Sequence, residues 1–353
     1  HKHGALAAIE LVHMGYYGMN LYSREPLMSA SARPPKTDFP GFARAMDRAD
    51  IRNYRRWHRD AAIRARQAGF DIVLCYAGHD ISLAMHFLTE RNNQRSDEYG
   101  GSLENRVRLL REIIEETKQS IGDSCAVGLR IALDELMGRG GLRAEDDGRA
   151  IVELLAELPD IWDVNCSDWK NDSISARFAE EGFQEPYIDF VKSITKKPVV
   201  GVGRYTSPDR MVSLINRGVL DMIGAARPSI ADPFLPKKIE EGRLEEIREC
   251  IGCNVCVGYS NNSVPIRCTQ NPAVGEEWRR GWHPERIPGK NSDDRILIVG
   301  AGPAGLEAAR ALGQRGYEVM LSECCRELGG RVTRESRLPG LSTYARVRDY
   351  RVQ

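Results

Sequence analysis

The feature that most limits the possible folds is a regular alternation of short apolar runs with amphipathic helical segments, from residue 5 to residue 241. This alternation is typical of a parallel sheet whose strands are joined by crossover helices. The predicted strands are 5–13, 71–76, 125–132, 161–167, 198–203 and 220–226. The predicted helices are 51–68, 102–121, 145–158, 185–195, 208–217 and 233–241. We therefore expect a TIM (β/α)8 barrel whose first two strands precede His1.

Charge and apolar patterning restrict the classes of partner. Lys plus Arg equals Asp plus Glu at 50 each. The formal net charge is therefore zero, and it gives no reason to expect binding to nucleic acid or to a membrane surface. No run of 18 apolar residues and no secretory signal occurs, which predicts a cytoplasmic protein that binds a small molecule.

Four of the nine cysteines fall in one short segment, at Cys250, Cys253, Cys256 and Cys268. Thiolates at this spacing can share one metal centre, and both iron-sulfur clusters and structural zinc use four of them. Because nucleotide-binding patterns lie on either side, an iron-sulfur cluster is favoured over zinc. Cys75, Cys125 and Cys166 are expected to be buried and structural.

A dinucleotide-binding pattern follows the cysteines. Residues 295–299 predict a strand, Gly300, Gly302 and Gly305 open a helix to about residue 315, and Glu323 ends a second strand. Glycines at this spacing let a pyrophosphate approach the helix N-terminus, and the acid would bind a ribose hydroxyl. This predicts the start of a Rossmann-like domain, cut short at its C-terminus.

The ends of the predicted barrel strands carry the polar residues expected at an active site. The candidates are Tyr76, His79, Arg130, Trp169, Asp172, Gly201, Gly203, Arg204, Ala226 and Arg227. Small residues plus arginine after the last two strands predict a mononucleotide phosphate site, hence FMN. Structural roles are also possible: Arg130 could pair with a carboxylate, His79 could be a satisfied core residue, and Trp169 could be ordinary packing.

These motifs together resemble the Old Yellow Enzyme-like flavoproteins. The segment 99–106 looks like their characteristic loop and helix start. Tyr76 before His79, the CxxCxxC pattern and 281–284 are most similar to the trimethylamine, dimethylamine and histamine dehydrogenase branch. The C-terminal stretch 328–341 is most similar to its histamine dehydrogenase members.

The resemblance implies FMN held by a 6-S-cysteinyl bond, a 4Fe-4S cluster on the four cysteines, and ADP (or FAD) in the nucleotide domain. It implies that Tyr76, His79 and Asp172 are catalytic and that Trp169 is a wall of an aromatic bowl for a cationic amine. It implies flavin contacts for Glu10, Arg130 and Arg227. One departure is that residues 259–261 hold no second bowl tryptophan, which leaves a quaternary-like substrate in doubt.

We therefore expect an amine dehydrogenase that passes electrons from a small amine through FMN and the cluster to an electron-transfer flavoprotein, as a homodimer. The expected domains are an FMN barrel at 1–245, a cluster segment and linker at 246–292, and a Rossmann domain at 293–353. Two alternatives are an NADPH-dependent 2,4-dienoyl-CoA reductase-like enzyme and a non-catalytic metal-binding scaffold. Tyr76 and the CxxCxxC spacing count against the first of these.

Overall fold

The structure is a computed structural model that describes residues 1–18, 25–36, 41–174, 176 and 178–353. The chain forms two compact units. The first contains residues 1–172, 184–202 and 213–224, and the second contains 173–183, 203–212 and 225–353.

The first unit is built on a parallel sheet of six strands in the order β1-β4-β5-β6-β7-β8. These strands are β1 (Ala8–Leu11), β4 (Ile72–Ala77), β5 (Ala126–Ala132), β6 (Ile161–Asn165), β7 (Val199–Val202) and β8 (Met222–Gly224). A separate parallel pair consists of β2 (Leu27–Ser29) and β3 (Ala43–Ala45). Each sheet strand lies within a predicted one, except that β4 extends one residue further, to Ala77, and sequential parallel order is that of a TIM barrel. The predicted fold class is confirmed.

The helices among these strands are α1 (Arg48–Gln67), α2 (Leu83–Leu88), α3 (Leu103–Ile121), α4 (Arg149–Leu155), α5 (Glu185–Ile188) and α6 (Pro208–Asn216). Short 3₁₀ turns occur at Gly15–Tyr17, Gly122–Ser124, Gly138–Gly140, Trp169–Asn171 and Val191–Ser193. The predicted helix 145–158 is interrupted: Ala144–Gly148 is a π-type turn with a non-helical Asp146. The pattern missed α2 because all six of its residues are buried, so it has no polar face.

The two faces of the sheet differ in burial. On the face opposite Tyr76, the β4 residues Val73, Cys75 and Ala77 are at most 1% exposed. Cys125 and Cys166 are also buried, as predicted. Leu74 and Arg130, on the other face, are only partly buried. The first face is the apolar core, and the second carries the polar candidates.

The second unit contains α7 (Ala226–Ala231), α8 (Leu235–Glu240), α9 (Val255–Asn261), α10 (Glu277–Arg280), β9 (Arg295–Val299), α11 (Pro303–Gln314), β10 (Glu318–Ser322), α12 (Arg331–Glu335) and α13 (Ala345–Val352). It also has 3₁₀ turns at Leu244–Glu246 and Ser342–Tyr344. Strands β9 and β10 pair in parallel around α11, as the dinucleotide pattern predicts. The predicted strand 220–226 extends too far, because Ala226 already begins α7.

No helix in the described part of the chain is both long enough and apolar enough to span a membrane.

Candidate active site and cofactor-binding residues

Strand register places three polar side chains in one row across the sheet. Tyr76 of β4 pairs with Arg130 of β5, and Arg130 pairs with Asp163 of β6. Paired residues of adjacent strands project from the same face of a sheet. The Arg130 guanidinium carbon lies 5.8 Å from the centre of the Tyr76 ring.

His79 follows β4 and lies between two polar partners. Its Nδ1 contacts the Tyr76 hydroxyl, and its Nε2 lies 3.0 Å from Asp172 Oδ1. Both contacts are satisfied when Nε2–H donates to the carboxylate and Nδ1 accepts from the phenol. A β-bridge between His79 and Asp168 brings the loop that carries Asp172 to this position. The structure thus brings together three side chains that lie up to 96 positions apart in the sequence.

Burial sets the protonation of this group. His79 is 3% exposed, and burial lowers its pKa to about 4 even though the Asp172 carboxylate acts in the opposite direction. Burial also raises the pKa of Tyr76 above its ordinary value, against the opposing effect of Arg130. Near neutral pH the imidazole is therefore neutral and the phenol is protonated.

Arg130 lies between two carboxylates. Its guanidinium is 3.5 Å from Glu10 Oε2 and 3.7 Å from Asp163 Oδ2. Burial raises the pKa of both carboxyls, and Arg130 opposes that rise. Arg130 Nε and Asp163 Oδ1 are buried without a hydrogen-bond partner among the described residues, as are both amide atoms of Asn165. Unsatisfied polar atoms on one face of β5 and β6 fit a site for a polar cofactor. Sequence reasoning missed Asp163 and Asn165, which stand in an apolar strand.

Asp80 fixes the turn that carries His79, and sequence reasoning missed it as well. Both residues have left-handed backbone conformations, each with φ of 56°. The fully buried Asp80 carboxylate accepts hydrogen bonds from the Tyr16 hydroxyl and Asn92 Nδ2, both at 2.8 Å, and pairs with Arg91 and Lys36. Burial would raise the pKa of Asp80, but Arg91 and Lys36 lower it to about 2. This ionised network holds the turn against its backbone strain.

The candidate phosphate residues are distributed over both units. In the first, a Cβ on Gly201 would lie 2.6 Å from Leu220 Cδ2, so packing alone requires a glycine there. In the second, the Gly203 carbonyl oxygen accepts from the Gly182 backbone N–H at 2.9 Å. Arg204 donates to Ala179 O at 3.0 Å, and Arg227 of α7 donates to Asn254 Oδ1 at 2.6 Å. Ala226 begins that helix.

Trp169 opens the 3₁₀ turn that precedes Asp172, and its side chain is partly exposed, with 38% relative accessibility. The Asp168 side chain caps this turn, because its Oδ1 accepts a hydrogen bond from the Asn171 backbone N–H at 3.2 Å.

The four candidate metal cysteines are all half-buried. Cys250 Sγ and Cys268 Sγ each accept a backbone N–H at 3.4 Å, and Cys253 Sγ contacts Thr269 Oγ1 at 3.2 Å. Two sulfurs on one tetrahedral zinc lie about 3.8 Å apart. Within the described residues, no three of these four sulfurs lie mutually within 4.8 Å.

The glycine-rich loop has the backbone that the dinucleotide pattern requires. Gly300 has φ of 98°, and a Cβ on Gly305 would lie 1.9 Å from Gly300 O. A Cβ on Gly302 would meet nothing within 4 Å, so this position is open to a ligand. Glu323 folds back on the loop, and its Oε2 accepts from Ala301 N at 2.6 Å. This backbone contact, with a second from Cys325 N, lowers the pKa of Glu323 to about 2.

Comparison with known families agrees with this architecture. Residues 1–246 match the NADH:flavin oxidoreductase / NADH oxidase family, and residues 298–352 match an NAD(P)-binding Rossmann-like domain. The chain belongs to the NADH:flavin oxidoreductase / NADH oxidase family.

Three relatives of this chain carry the names of amine-oxidising enzymes. Dimethylamine dehydrogenase of Hyphomicrobium sp. (strain x) is 43% identical over 99% of this chain and 49% of its own length. The structure of 6-hydroxypseudooxynicotine amine oxidase from Pseudomonas geniculata N1 superposes with a TM-score of 0.97 at 57% identity, covering 99% of this chain and 53% of that one. Histamine dehydrogenase of Rhizobium sp. 4-9 gives 0.96 at 52% identity, with 99% and 51% covered. The chain thus spans about half the length of these relatives.

Proposed function

We propose that the protein is an iron-sulfur flavoprotein that oxidatively deaminates a small amine. One observation carries this proposal: His79 is buried and neutral, and it lies between the Tyr76 hydroxyl and the Asp172 carboxylate at the end of β4. Such a group can accept a proton from an ammonium ion and share it with a carboxylate. The relatives named dimethylamine dehydrogenase and histamine dehydrogenase support an amine as the substrate.

The flavin proposed for this site is FMN, which when bound supplies the redox chemistry by accepting a hydride equivalent from the carbon next to nitrogen. In the first unit, Glu10, Arg130 and the unsatisfied atoms beside Arg130 would hold it. In the second unit, Gly203, Arg204, Ala226 and Arg227 are the proposed phosphate-binding residues. Gly201 could contact the phosphate only through its backbone, because Leu220 occupies the space where a Gly201 side chain would lie.

The chain's own groups would set the protonation state of the amine. The Tyr76 hydroxyl donates a hydrogen bond to His79 Nδ1, and its oxygen can accept from a substrate N–H. One proton would then pass from the ammonium ion to the Tyr76 oxygen while the hydroxyl proton moves to His79 Nδ1, so that the phenol is restored. Asp172, 3.0 Å from His79 Nε2, would stabilise the resulting imidazolium. The amine is left with the free lone pair that loss of hydride requires. Trp169 would pack against the substrate.

The cysteines Cys250, Cys253, Cys256 and Cys268 would hold a 4Fe-4S cluster that carries electrons to an external acceptor, which we propose is an electron-transfer flavoprotein. The grouping of four cysteines in one short segment and the backbone N–H bonds to Cys250 and Cys268 support a cluster. The Gly300–Gly305 loop with Glu323 would bind ADP or a related dinucleotide.

Anaerobic mixing of the intact protein with candidate amines tests this function. We expect histamine or a secondary methylamine to bleach the flavin absorbance, while NADPH does not. Rapid bleaching by NADPH with no response to any amine would instead support the reductase alternative. Iron and sulfide analysis of the same sample tests the cluster.

A further inference from the structure

The second strand of the nucleotide-binding segment, β10, is followed by three consecutive metal-binding side chains: Glu323, Cys324 and Cys325. One carboxylate oxygen and the two thiol sulfurs lie within 4.8 Å of one another. In the part of the chain that the structure describes, no other group of three or more His, Cys, Asp or Glu side chains does so. Both thiols are exposed, so a cation in solution can reach them.

The separations match those of a single tetrahedral ion. Cys324 Sγ and Cys325 Sγ are 3.8 Å apart, and Cys324 Sγ is 3.3 Å from Glu323 Oε1. With zinc–sulfur bonds of about 2.3 Å and zinc–oxygen bonds of about 2.1 Å, the expected separations are about 3.8 Å and about 3.6 Å. The group therefore needs little rearrangement to bind an ion, in contrast to the more widely spaced thiols of Cys250, Cys253, Cys256 and Cys268.

The carboxylate is already oriented by the backbone. Glu323 Oε2 accepts from Ala301 N at 2.6 Å, and Oε1 accepts from Cys325 N at 2.9 Å. Each carboxylate oxygen has two lone pairs, so Oε1 can still bind a cation. Hydrogen bonds of this kind hold ligating carboxylates in place in metal sites.

We propose that Glu323, Cys324 and Cys325 form a binding site for one thiophilic divalent cation of the Zn²⁺ class. Two thiolates and one carboxylate oxygen would supply three ligands, and water would occupy the fourth position. Binding converts both thiols to thiolates and releases their two protons to solvent.

The site bears on nucleotide binding, a consequence that rests on the ADP site proposed above. Glu323 is the side chain expected to accept from a ribose hydroxyl, and it is also the carboxylate ligand of the cation. A carboxylate fixed by the metal and by Ala301 N cannot turn toward a ribose. Occupancy by the cation should therefore weaken ADP binding.

Zinc titration of the intact protein, with a chromophoric chelator as competitor, tests the site. We expect the wild-type protein to bind about one more zinc ion per chain than the C324S/C325S variant. E323Q should lower the affinity for that additional zinc ion. The matched control is E318Q, because Glu318 is an exposed glutamate at the start of β10, the strand that Glu323 follows, and it pairs with Arg295 at 3.1 Å instead of lying near the two thiols. It should bind zinc like wild type.

Equal zinc stoichiometry in the wild-type protein and C324S/C325S would overturn the metal site. ADP titrations with and without zinc then test the coupling: zinc should raise the Kd for ADP in the wild-type protein and leave it unchanged in the double variant. If ADP binds neither protein, the proposed nucleotide site fails, and the zinc stoichiometry still decides the metal site.

Discussion

The turn after β4 and the loops of the second unit hold their polar residues in different ways. His79 and Asp80 are buried, and their partners come from distant positions such as Asp172, Tyr16 and Lys36. Glu323, by contrast, is held by Ala301 of the glycine-rich loop in the same strand–helix–strand unit and by Cys325, two residues further along the chain. The first arrangement depends on the whole barrel, whereas the second follows from local backbone geometry. A substitution in the first should therefore disturb fold and chemistry together, and one in the second should affect binding alone.

The largest effect is expected for Cys253→Ser in the cluster segment. If that segment is a local module, the variant should lose iron and electron transfer to an external acceptor, while amine still bleaches the flavin in a single turnover. Iron analysis and stopped-flow absorbance measure the two effects separately. Cys324→Ser, an exposed cysteine outside the segment, is the control and should keep its iron. Slow flavin bleaching in Cys253→Ser would contradict the local character of the segment.

The next largest effect is expected for His79→Gln, which should slow flavin reduction by amine by roughly 10²–10⁴-fold because a positioned proton acceptor is lost. Asp172→Asn should have a smaller effect in the same direction, since His79 can still accept the proton. The exposed Asp123→Asn is the control. Unchanged reduction rates in His79→Gln would exclude the proposed role of the imidazole.

The two regions also differ in how far the sequence predicts them. The glycine spacing at 300–305 and the acid at Glu323 predict the loop because its contacts lie within one strand–helix–strand unit, 22 positions apart at most for Ala301 and Glu323. In the barrel, hydrophobic periodicity predicts the six strands, and the motifs single out Tyr76, His79 and Asp172. Periodicity does not give strand register, however, so the pairing of Arg130 with Asp163 could not be predicted. Asp80 was missed for a related reason: its partners Tyr16 and Lys36 are 64 and 44 positions away and meet it only in the folded chain.

The third prediction concerns the stability of the turn after β4, which Asp80 holds in place. Asp80→Asn removes the charge of a fully buried carboxylate that pairs with the partly exposed Arg91 and Lys36, and we expect the free energy of unfolding to fall by about 3 kcal/mol. Urea denaturation measures this change. Asp60→Asn is the control, because its ion pair with Arg59 at 3.4 Å is well exposed and should be worth at most about 1 kcal/mol. A loss as small as the control's would mean that the network does not hold the turn.

The smallest effect concerns pH and tests whether the barrel responds to acid through its buried histidines. His58 of α1 contacts α3, where its Nδ1 is 3.2 Å from Thr117 Oγ1, and burial lowers the pKa of His58 to about 4. Its ordinary pKa is about 6.5, so between these values the unfolded chain binds more protons and stability falls as pH falls. His79 and His86 act in the same direction. The raised pKa values of Glu10 and Asp163 act against it.

His58→Gln should therefore lose less stability than the wild-type protein between pH 7 and pH 5, by about 2 kcal/mol. Unfolding free energies at the two pH values provide the measurement. Thr117→Val is the matched control: it removes the hydroxyl partner but keeps the titrating ring, so it should lower stability at both pH values and retain the wild-type pH dependence. If His58→Gln and the wild-type protein lose the same amount, burial of His58 is not a source of the acid sensitivity, which would then be assigned to other buried histidines such as His79 and His86.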